Sequence, residues 1–378
     1  MKLMIVVTHL LGTGHLARAL VLGRAFAVAG HDAMVVSGGM PAPHLDSSGV
    51  RVAQLPPVRS DGINFARLLD ANSALMTENA MADRQDKLVQ TLRREQPDVL
   101  ITELYPFGRR VLAGEFTALL EAAKSMSTPP LVCCSIRDIL APPSKPKKAK
   151  TTRQVIAQYY DTVLVHSDPT TTRLDASWPV SPDIAARLAY TGYVALPPAT
   201  DHPDKLGADE ILVSAGGGNV GAALYAAALD AAHLSPRLKW RILIGGQNAA
   251  DQAKTLQQQA PANILIEPAR PEFRQMLRHA KASVSMCGYN TALDILQAGT
   301  PAVFVPFDDG GEVEQTLRAT ALSALNAINV LSARTLTGAA LLQGVEAVLN
   351  APARPIQLSS FDGAKRSVEI IEQRVNAR

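Results

Sequence analysis

Residues Ser285–Pro306 read SMCGYNTALDILQAGTPAVFVP, a pattern that predicts a strand, a glycine turn, a short helix and a second strand. The apolar run Ala282–Met286 is typical of a buried strand, and Gly288 interrupts it where the helix begins. Either Asn290 or Thr291 can cap that helix. Because the first amides of a helix lack partners within it, this turn is a candidate anion site.

Asp294 lies about one turn into the predicted helix, so its carboxylate stands close behind the anion site. Gly299 and Pro301 end the helix, and Ala302–Val305 forms the next strand. An anion site beside a carboxylate suits a nucleotide, with phosphate on the amides and ribose hydroxyls on the acid. An ordinary β-α-β unit with a solvated Asp294 fits the same pattern equally well.

The composition excludes several classes of protein. The 378 residues fit two domains, and 47% hydrophobic with 19% charged residues indicates a globular chain. A net charge of +3 and 4% aromatic residues argue against a nucleic-acid partner. Three cysteines without metal-ligand spacing suggest a reducing compartment, and no apolar run reaches the roughly 18 residues of a membrane span. We therefore expect a soluble cytoplasmic protein.

The first half of the chain alternates predicted strands with helices. The strands are Leu3–Val7, Ala33–Val36, Val50–Leu55, Val99–Thr102, Leu131–Ser135 and Thr162–Val165. A long polar helix is predicted over about 63–95. This alternation predicts a doubly wound α/β domain with ligands at the carboxyl ends of its strands.

The second half repeats the plan. Its first strand, Glu210–Ser214, runs into the glycine turn Ala215–Asn219. The predicted fold is therefore α/β, with two Rossmann-like doubly wound domains facing one another across a cleft. We place the N-terminal domain at 1–190 and the C-terminal domain at 191–360. A last helix at 361–378 is expected to pack back on the N-terminal domain.

The turn Gly12-Thr13-Gly14-His15 matches the start of a dinucleotide fingerprint. The acidic residue of that fingerprint is missing, because Val36 leads into Ser37-Gly38-Gly39. A nicotinamide or flavin enzyme is therefore disfavoured.

His15 falls at the start of a helix on the ligand side of the predicted sheet. The helix dipole there disfavours imidazolium, so the ring would stay neutral and able to accept a proton. A merely structural, capping histidine is the alternative. Arg18, about one turn further on, either balances a phosphate or faces water. No cluster of residues has metal-ligand spacing, so no metal is expected.

Four lysines follow the predicted strand Leu131–Ser135: Lys145, Lys147, Lys148 and Lys150. We expect them to form a solvated surface loop. Contact with phosphate or with an anionic membrane is the alternative.

The second half resembles the nucleotide-sugar glycosyltransferases of the GT-B fold, most closely the peptidoglycan N-acetylglucosaminyltransferase family. The matching positions are Gly216, Gly217, Gly218, Gly288, Thr291, Asp294, Gly299, Pro301, Pro306, Glu314 and Gln315. The turn from Gly12 to His15 resembles the glycine-histidine loop of that family. Bacterial predicted glycosyltransferases also carry a segment like Ser135–Leu140.

The resemblance implies that the C-terminal domain binds a nucleotide sugar, with a UDP-sugar favoured. The implied binding residues are Gly216, Gly217, Gly218, Asn219, Gly288, Tyr289, Asn290, Thr291, Asp294, Glu314 and Gln315. The implied acceptor-side residues are Gly12, Thr13, Gly14, Arg18, Glu103, Arg137 and Asp138. His15 would be the general base of an inverting, metal-independent transfer to a hydroxyl acceptor in bacterial glycan, glycolipid or glycoconjugate synthesis. A lipid-linked acceptor at the inner membrane face is one alternative. No cofactor is implied, since the nucleotide sugar is a substrate.

Three departures concern the base and the sugar. Asp294 replaces a glutamate, Gly218 stands where serine is frequent, and Met286-Cys287 replaces an Arg-Ser pair. Three other functions remain open: a nucleotide-sugar hydrolase, which Gly14, His15 and Arg18 also resemble, a nucleotide-sugar 2-epimerase, and a non-catalytic nucleotide-sugar sensor.

Overall fold

A computed structural model describes residues 1–61, 67–216, 220–246, 248–308, 312–356 and 358–378. The chain divides into two compact units. Unit 1 comprises Met1–Ala195 together with Ser359–Arg378, and unit 2 comprises Leu196–Leu358.

In the first part of unit 1, strands and helices alternate. Its elements are β1 (Lys2–Val7), α1 (Gly14–Val28), β2 (Asp32–Ser37), β3 (Arg51–Gln54), β4 (Arg59–Ser60), β5 (Leu68–Leu69), α2 (Glu78–Glu95), β6 (Val99–Glu103), α3 (Ala113–Lys124), β7 (Leu131–Arg137), α4 (Pro146–Tyr159), β8 (Thr162–His166), α5 (Pro182–Ala185) and β9 (Leu188–Tyr190).

Unit 2 repeats this alternation, and a last helix returns the chain to unit 1. The elements are β10 (Glu210–Ser214), α6 (Ala222–Leu234), β11 (Lys239–Ile244), α7 (Ala249–Gln257), β12 (Ile264–Pro268), α8 (Phe273–His279), β13 (Ala282–Ser285), α9 (Tyr289–Ala298), β14 (Ala302–Phe304), α10 (Glu314–Leu322), β15 (Ile328–Val330), α11 (Gly338–Asn350) and α12 (Gly363–Asn376).

Each unit is built on one parallel sheet. The strand order is β3-β2-β1-β6-β7-β8-β9 in unit 1 and β12-β11-β10-β13-β14-β15 in unit 2. The predicted α/β fold with two doubly wound domains is confirmed. In each sheet the direction of strand order reverses beside the first strand, between β1 and β6 and between β10 and β13. Ligands of doubly wound folds bind at such reversal points, beyond the carboxyl ends of the strands.

Successive residues of β1 pack on opposite faces of its sheet, as the period of a strand requires. Leu3 and Ile5 belong to a buried cluster with Phe26 of α1, whereas Met4 and Val6 belong to a second cluster. Helix α12 packs against α1 and so contributes to the first of these clusters. Both faces of the sheet are therefore covered by apolar side chains.

Residues 63–66 of the long helix predicted over about 63–95 lie outside the described residues. The prediction is wrong between 67 and 77, where strand β5 lies, because α2 begins only at Glu78. Asp70 Oδ1 accepts hydrogen bonds from the amides of Asn72 and Ala74, each at 2.9 Å, and the Thr77 side chain caps α2. Short polar side chains that bond to nearby amides favour turns and caps over a continuous helix.

The predicted lysine loop is also corrected. Lys145 lies at the cap position of α4, and the other three lysines fall in the helix, which starts at Pro146. Proline suits this position because it lacks the amide hydrogen that would have no partner there.

Candidate active site

The reversal point of unit 1 brings His15 and Glu103 together. His15 is the second residue of α1, directly after the turn that follows β1, and Glu103 is the last residue of the adjacent strand β6. His15 Nδ1 lies 2.8 Å from Glu103 Oε1. The His15 side chain is 16% exposed and the Glu103 side chain only 1%. One imidazole nitrogen of His15 therefore contacts a buried carboxylate, and the second nitrogen can contact a ligand.

Arg18 completes this group, which we call the base site. Its Nη2 donates to Glu103 Oε1 and lies 3.1 Å from His15 Nδ1. Since a guanidinium has only donors and the carboxylate oxygen can accept two bonds, the consistent arrangement places a proton on His15 Nδ1 and leaves Nε2 as the acceptor. That is the tautomer a general base requires.

The electrostatics of the base site favour a neutral imidazole beside an ionised carboxylate. Burial lowers the pKa of His15 to about 3, although Glu103 acts in the opposite direction. Burial would raise the pKa of Glu103, but the charge of Arg18 and the hydrogen bond with His15 hold it well below its usual range. His15 is therefore neutral as expected, with burial as the largest cause.

The other acceptor-side residues lie at the same edge of the sheet. Arg137 ends β7, and the buried Asp138 follows it and accepts from the Ile139 amide at 2.7 Å. Thr13 precedes α1, with its Oγ1 3.3 Å from His44 Nε2, and Gly12 and Gly14 flank it. Of the predicted group, Arg18 and Glu103 are the residues that contact His15.

Three residues near Glu103 were missed by the sequence analysis. Ser135 Oγ donates to Glu103 Oε2 at 2.6 Å, and His166 Nε2 lies 2.9 Å from Ser135 Oγ. His166 Nδ1 lies 2.8 Å from Thr191 Oγ1. The sequence held one signal for these residues. A polar residue stands at or near the carboxyl end of each of the apolar strands β6, β7 and β8.

The reversal point of unit 2 brings together the turns after β10 and β13. Gly216 follows β10 with φ +81°, a conformation that glycine adopts without strain, and its amide donates to Ser214 Oγ at 3.2 Å. Gly217, Gly218 and Asn219 lie outside the described residues.

Gly288, rather than Asn290 or Thr291, is the cap residue of α9, which begins at Tyr289. Glycine has no side chain with which to cap the helix. A glycine cap leaves space around the first amides, because a Cβ at Gly288 would meet nothing within 4 Å. The predicted cap is corrected, and the first turn of α9 stays a candidate for anion binding.

Arg318 of α10 was missed, and it lies beside that turn. It is 3% exposed, and its Nη1 donates to Cys287 O at 2.9 Å. Its guanidinium carbon lies 5.6 Å from the ring centre of Tyr289. A buried cation therefore stands next to the start of α9.

Asp294 has a protein partner that its sequence position did not reveal. Its Oδ1 accepts from Arg274 Nε at 2.7 Å, and Arg274 Nη2 donates to Pro197 O at 2.7 Å. Burial raises the pKa of Asp294, with Arg274 acting in the opposite direction. The carboxylate thus takes part in holding the start of unit 2, whatever else it binds.

Glu314 and Gln315 form the first turn of α10. Gln315 Oε1 accepts from the Phe307 amide at 3.2 Å. Glu312, another residue missed from the sequence, accepts from the Glu314 amide at 2.5 Å. The side-chain carbonyl of Gln315 therefore holds the backbone at Phe307.

The described part of the chain holds neither a cluster of metal-ligating residues nor a membrane-spanning helix. No group of three or more His, Cys, Asp or Glu residues there could hold a metal ion. Within the same residues, no helix has both the length and the apolar character needed to cross a bilayer.

Comparison with known proteins identifies the architecture. Residues 212–374 match the glycosyltransferase family 28 C-terminal domain. The structure of MurG from Acinetobacter baumannii superposes with a TM-score of 0.61 at 18% identity, covering 100% of this chain and 98% of that one. The fold is GT-B.

A second GT-B structure, the glycosyltransferase of kitacinnamycin, superposes with a TM-score of 0.66 at 15% identity, over 99% of both chains. Among curated proteins, the UDP-N-acetylglucosamine--N-acetylmuramyl-(pentapeptide) pyrophosphoryl-undecaprenol N-acetylglucosamine transferase of Desulforudis audaxviator is 31% identical over 115 residues. That match covers 30% of this chain and 31% of the relative. The predicted resemblance to this glycosyltransferase family is confirmed.

Proposed function

We propose that the protein transfers a sugar from a UDP-sugar to a hydroxyl acceptor, with inversion at the anomeric carbon and without a metal ion. Unit 2 would bind the UDP-sugar, and unit 1 would supply the base. The observation that carries the proposal is the contact between His15 Nδ1 and Glu103 Oε1 at a strand reversal point.

In this mechanism His15 Nε2 takes the proton of the acceptor hydroxyl. The acceptor oxygen forms a bond to the anomeric carbon while the bond from that carbon to the diphosphate breaks, and its electron pair leaves with the diphosphate. A single displacement of this kind inverts the configuration. The Glu103 carboxylate holds the Nδ1–H tautomer and stabilises the imidazolium as it forms.

The leaving diphosphate needs positive potential that is already in place. The first turn of α9 begins after a glycine cap with open space around it, and the buried Arg318 lies beside it. Asp294 would accept from the ribose hydroxyls, and Glu314 and Gln315 would bind sugar hydroxyls. The amides of α9 and Arg318 would then stabilise the leaving diphosphate, and no metal ion or other cofactor is proposed.

For the acceptor we propose a lipid-linked glycan, used at the inner face of a bacterial membrane. The curated relative is named for an undecaprenol pyrophosphate acceptor. Lys145, Lys147 and Lys150 are exposed around the start of α4 and provide a basic surface. Binding to anionic vesicles should therefore fall as salt rises, and vesicle sedimentation without dependence on anionic lipid would remove the membrane contact.

A thermal-shift panel of nucleotide sugars tests the proposed function first, since a bound ligand stabilises the folded chain by mass action. Stabilisation by UDP-sugars, followed by transfer to added hydroxyl acceptors, would support it. Free sugar formed equally with and without acceptor would make the protein a hydrolase. An altered free nucleotide sugar would make it an epimerase, and binding without any product a sensor.

A further inference from the structure

Behind Glu103 runs a chain of three polar side chains that the proposed mechanism does not use. It consists of Ser135 at 0% exposure, His166 at 0% and Thr191 at 4%, and we call it the buried chain. Ser135 lies directly opposite Glu103 in the β6–β7 register, and His166 ends β8. Thr191 follows β9. Because these strands follow the order β6-β7-β8-β9, the three residues form a row that leads away from the base site.

The hydrogen bonds among Glu103, Ser135 and His166 have one consistent direction. Ser135 Oγ donates its only hydrogen to Glu103 Oε2, so it must accept from His166 Nε2–H. Burial lowers the pKa of His166 to about 3, so the ring is neutral and its Nδ1 is an acceptor. Thr191 Oγ1 lies 2.8 Å from His166 Nδ1, and its one hydrogen also has Gly192 O within reach at 2.7 Å. The donors of Ser135 and His166 therefore point toward the Glu103 carboxylate.

We propose that Ser135, His166 and Thr191 are positioning residues, which orient Glu103 and through it select the Nδ1–H tautomer of His15. The role in catalysis rests on the function proposed above, whereas the effect on the tautomer does not. Glu103 Oε2 is held by Ser135 while Oε1 faces His15 and Arg18, so the carboxylate plane is fixed from both sides.

Burying an imidazole and two hydroxyls costs free energy unless each is hydrogen-bonded. Apolar side chains could fill the same space without that cost. A set of donors that converges on one carboxylate fits a role in which the direction of that carboxylate matters.

The first experiment observes His15 directly and needs no substrate. Long-range 1H–15N NMR of the histidine rings, assigned with a His15→Gln variant, reports which nitrogen carries the proton. We expect the Nδ1–H form in the wild type and an increased share of the Nε2–H form in Ser135→Ala and His166→Leu. Ser135→Thr and His166→Gln keep a donor in place and should restore the wild-type form.

Thr102→Val is the matched control. Thr102 precedes Glu103 in β6, is 0% exposed, and bonds to Tyr105 O and Tyr160 OH outside the buried chain. Its loss removes a buried hydroxyl from the same strand and should leave the His15 tautomer unchanged. Circular dichroism identifies any variant that fails to fold. If His166→Leu does not fold, the tautomer of His15 is measured in the milder Ser135→Ala and Thr191→Val variants.

The second experiment is a double-mutant cycle in turnover. Ser135→Ala should lower kcat by about 10- to 100-fold, the effect of losing a hydrogen bond to a charged group, with little change in nucleotide-sugar KM. On a Glu103→Gln background the same substitution should have little further effect, because it acts through Glu103. Additive losses in the cycle, or an unchanged tautomer in every variant, would overturn the proposal. A shifted tautomer in a chain without transferase activity would refute the proposed function alone.

Discussion

Glu103 Oε1 lies 2.8 Å from His15 Nδ1, although 88 residues separate the two in the chain. The strand order causes this contact, because β1 and β6 are neighbours in the sheet. The turn after β1 leads to His15 at the start of α1, and Glu103 is the last residue of β6.

Replacing Glu103 by Gln should lower turnover by about 10²- to 10⁴-fold, since the amide cannot stabilise the imidazolium as the carboxylate does. The affinity for UDP, measured by calorimetry, should change little because Glu103 belongs to unit 1. Glu121→Gln alters an exposed glutamate of the same unit and is the control. Wild-type turnover in Glu103→Gln would remove the carboxylate from the mechanism.

Acid should destabilise the folded chain through its two buried histidines. His15 and His166 each have a pKa of about 3 when folded, against 6.5 for a free histidine. Below about pH 6.5 the unfolded chain therefore binds more protons than the folded chain, and the free energy of unfolding falls as the pH falls. Each histidine should contribute up to about 1.4 kcal/mol per pH unit in this window.

Urea unfolding at a series of pH values measures this dependence. His166→Gln removes one titrating group, so its stability should fall less steeply between about pH 6 and pH 4 than that of the wild type. The control is His233→Gln, which changes an exposed histidine. Parallel curves for His166→Gln and the wild type would show that His166 does not titrate as its burial requires.

Arg84 should be essential for the stability of unit 1. Its guanidinium is 0% exposed, pairs with Glu115 at 2.7 Å, and donates to Gly38 O, Pro56 O and Thr8 Oγ1. It thereby ties together the turns after β1, β2 and β3. Arg84→Met should cost about 3–5 kcal/mol, because it leaves a buried carboxylate without its partner.

Arg51→Met is the matched control for Arg84→Met, since Arg51 forms a half-exposed pair with Asp32 and should cost no more than about 1 kcal/mol. Gly38→Ala offers an independent check, because its Cβ would lie 2.1 Å from Arg84 Nη2. Equal losses of unfolding free energy for the two arginine variants would contradict the role of Arg84 in stabilising unit 1.

Asp294→Asn should weaken UDP binding by about 1–3 kcal/mol if the carboxylate accepts from ribose hydroxyls. Asp201→Asn is the control, because Asp201 pairs with Arg278 on α8 much as Asp294 pairs with Arg274. Titration calorimetry with UDP compares the two variants. Unchanged affinity in Asp294→Asn would leave the contact with Arg274 as the whole role of Asp294.

The sequence predicted the fold because apolar strands and glycine turns are local patterns. It also placed His15 at the start of the helix that follows the first strand, a ligand position in this architecture. It did not predict that Glu103 contacts His15, that Arg274 contacts Asp294 or that Ser135 leads to His166. Those contacts follow from strand order and side-chain direction, which local periodicity does not determine. The error between residues 67 and 77 arose because the turn at Asp70 depends on side-chain bonds that a polar pattern does not distinguish from a helix.

In the proposed sugar transfer, His15 acts as the base and does not bind the nucleotide. A base lowers the barrier of the chemical step, whereas uniform binding of the nucleotide sugar does not. His15→Ala should therefore reduce turnover by about two to four decades and leave the affinity for UDP within about threefold. Turnover and UDP affinity, measured on the same preparation, distinguish a base from a nucleotide ligand. Parallel losses in both would make His15 a nucleotide ligand, and a fully active alanine variant would contradict the account.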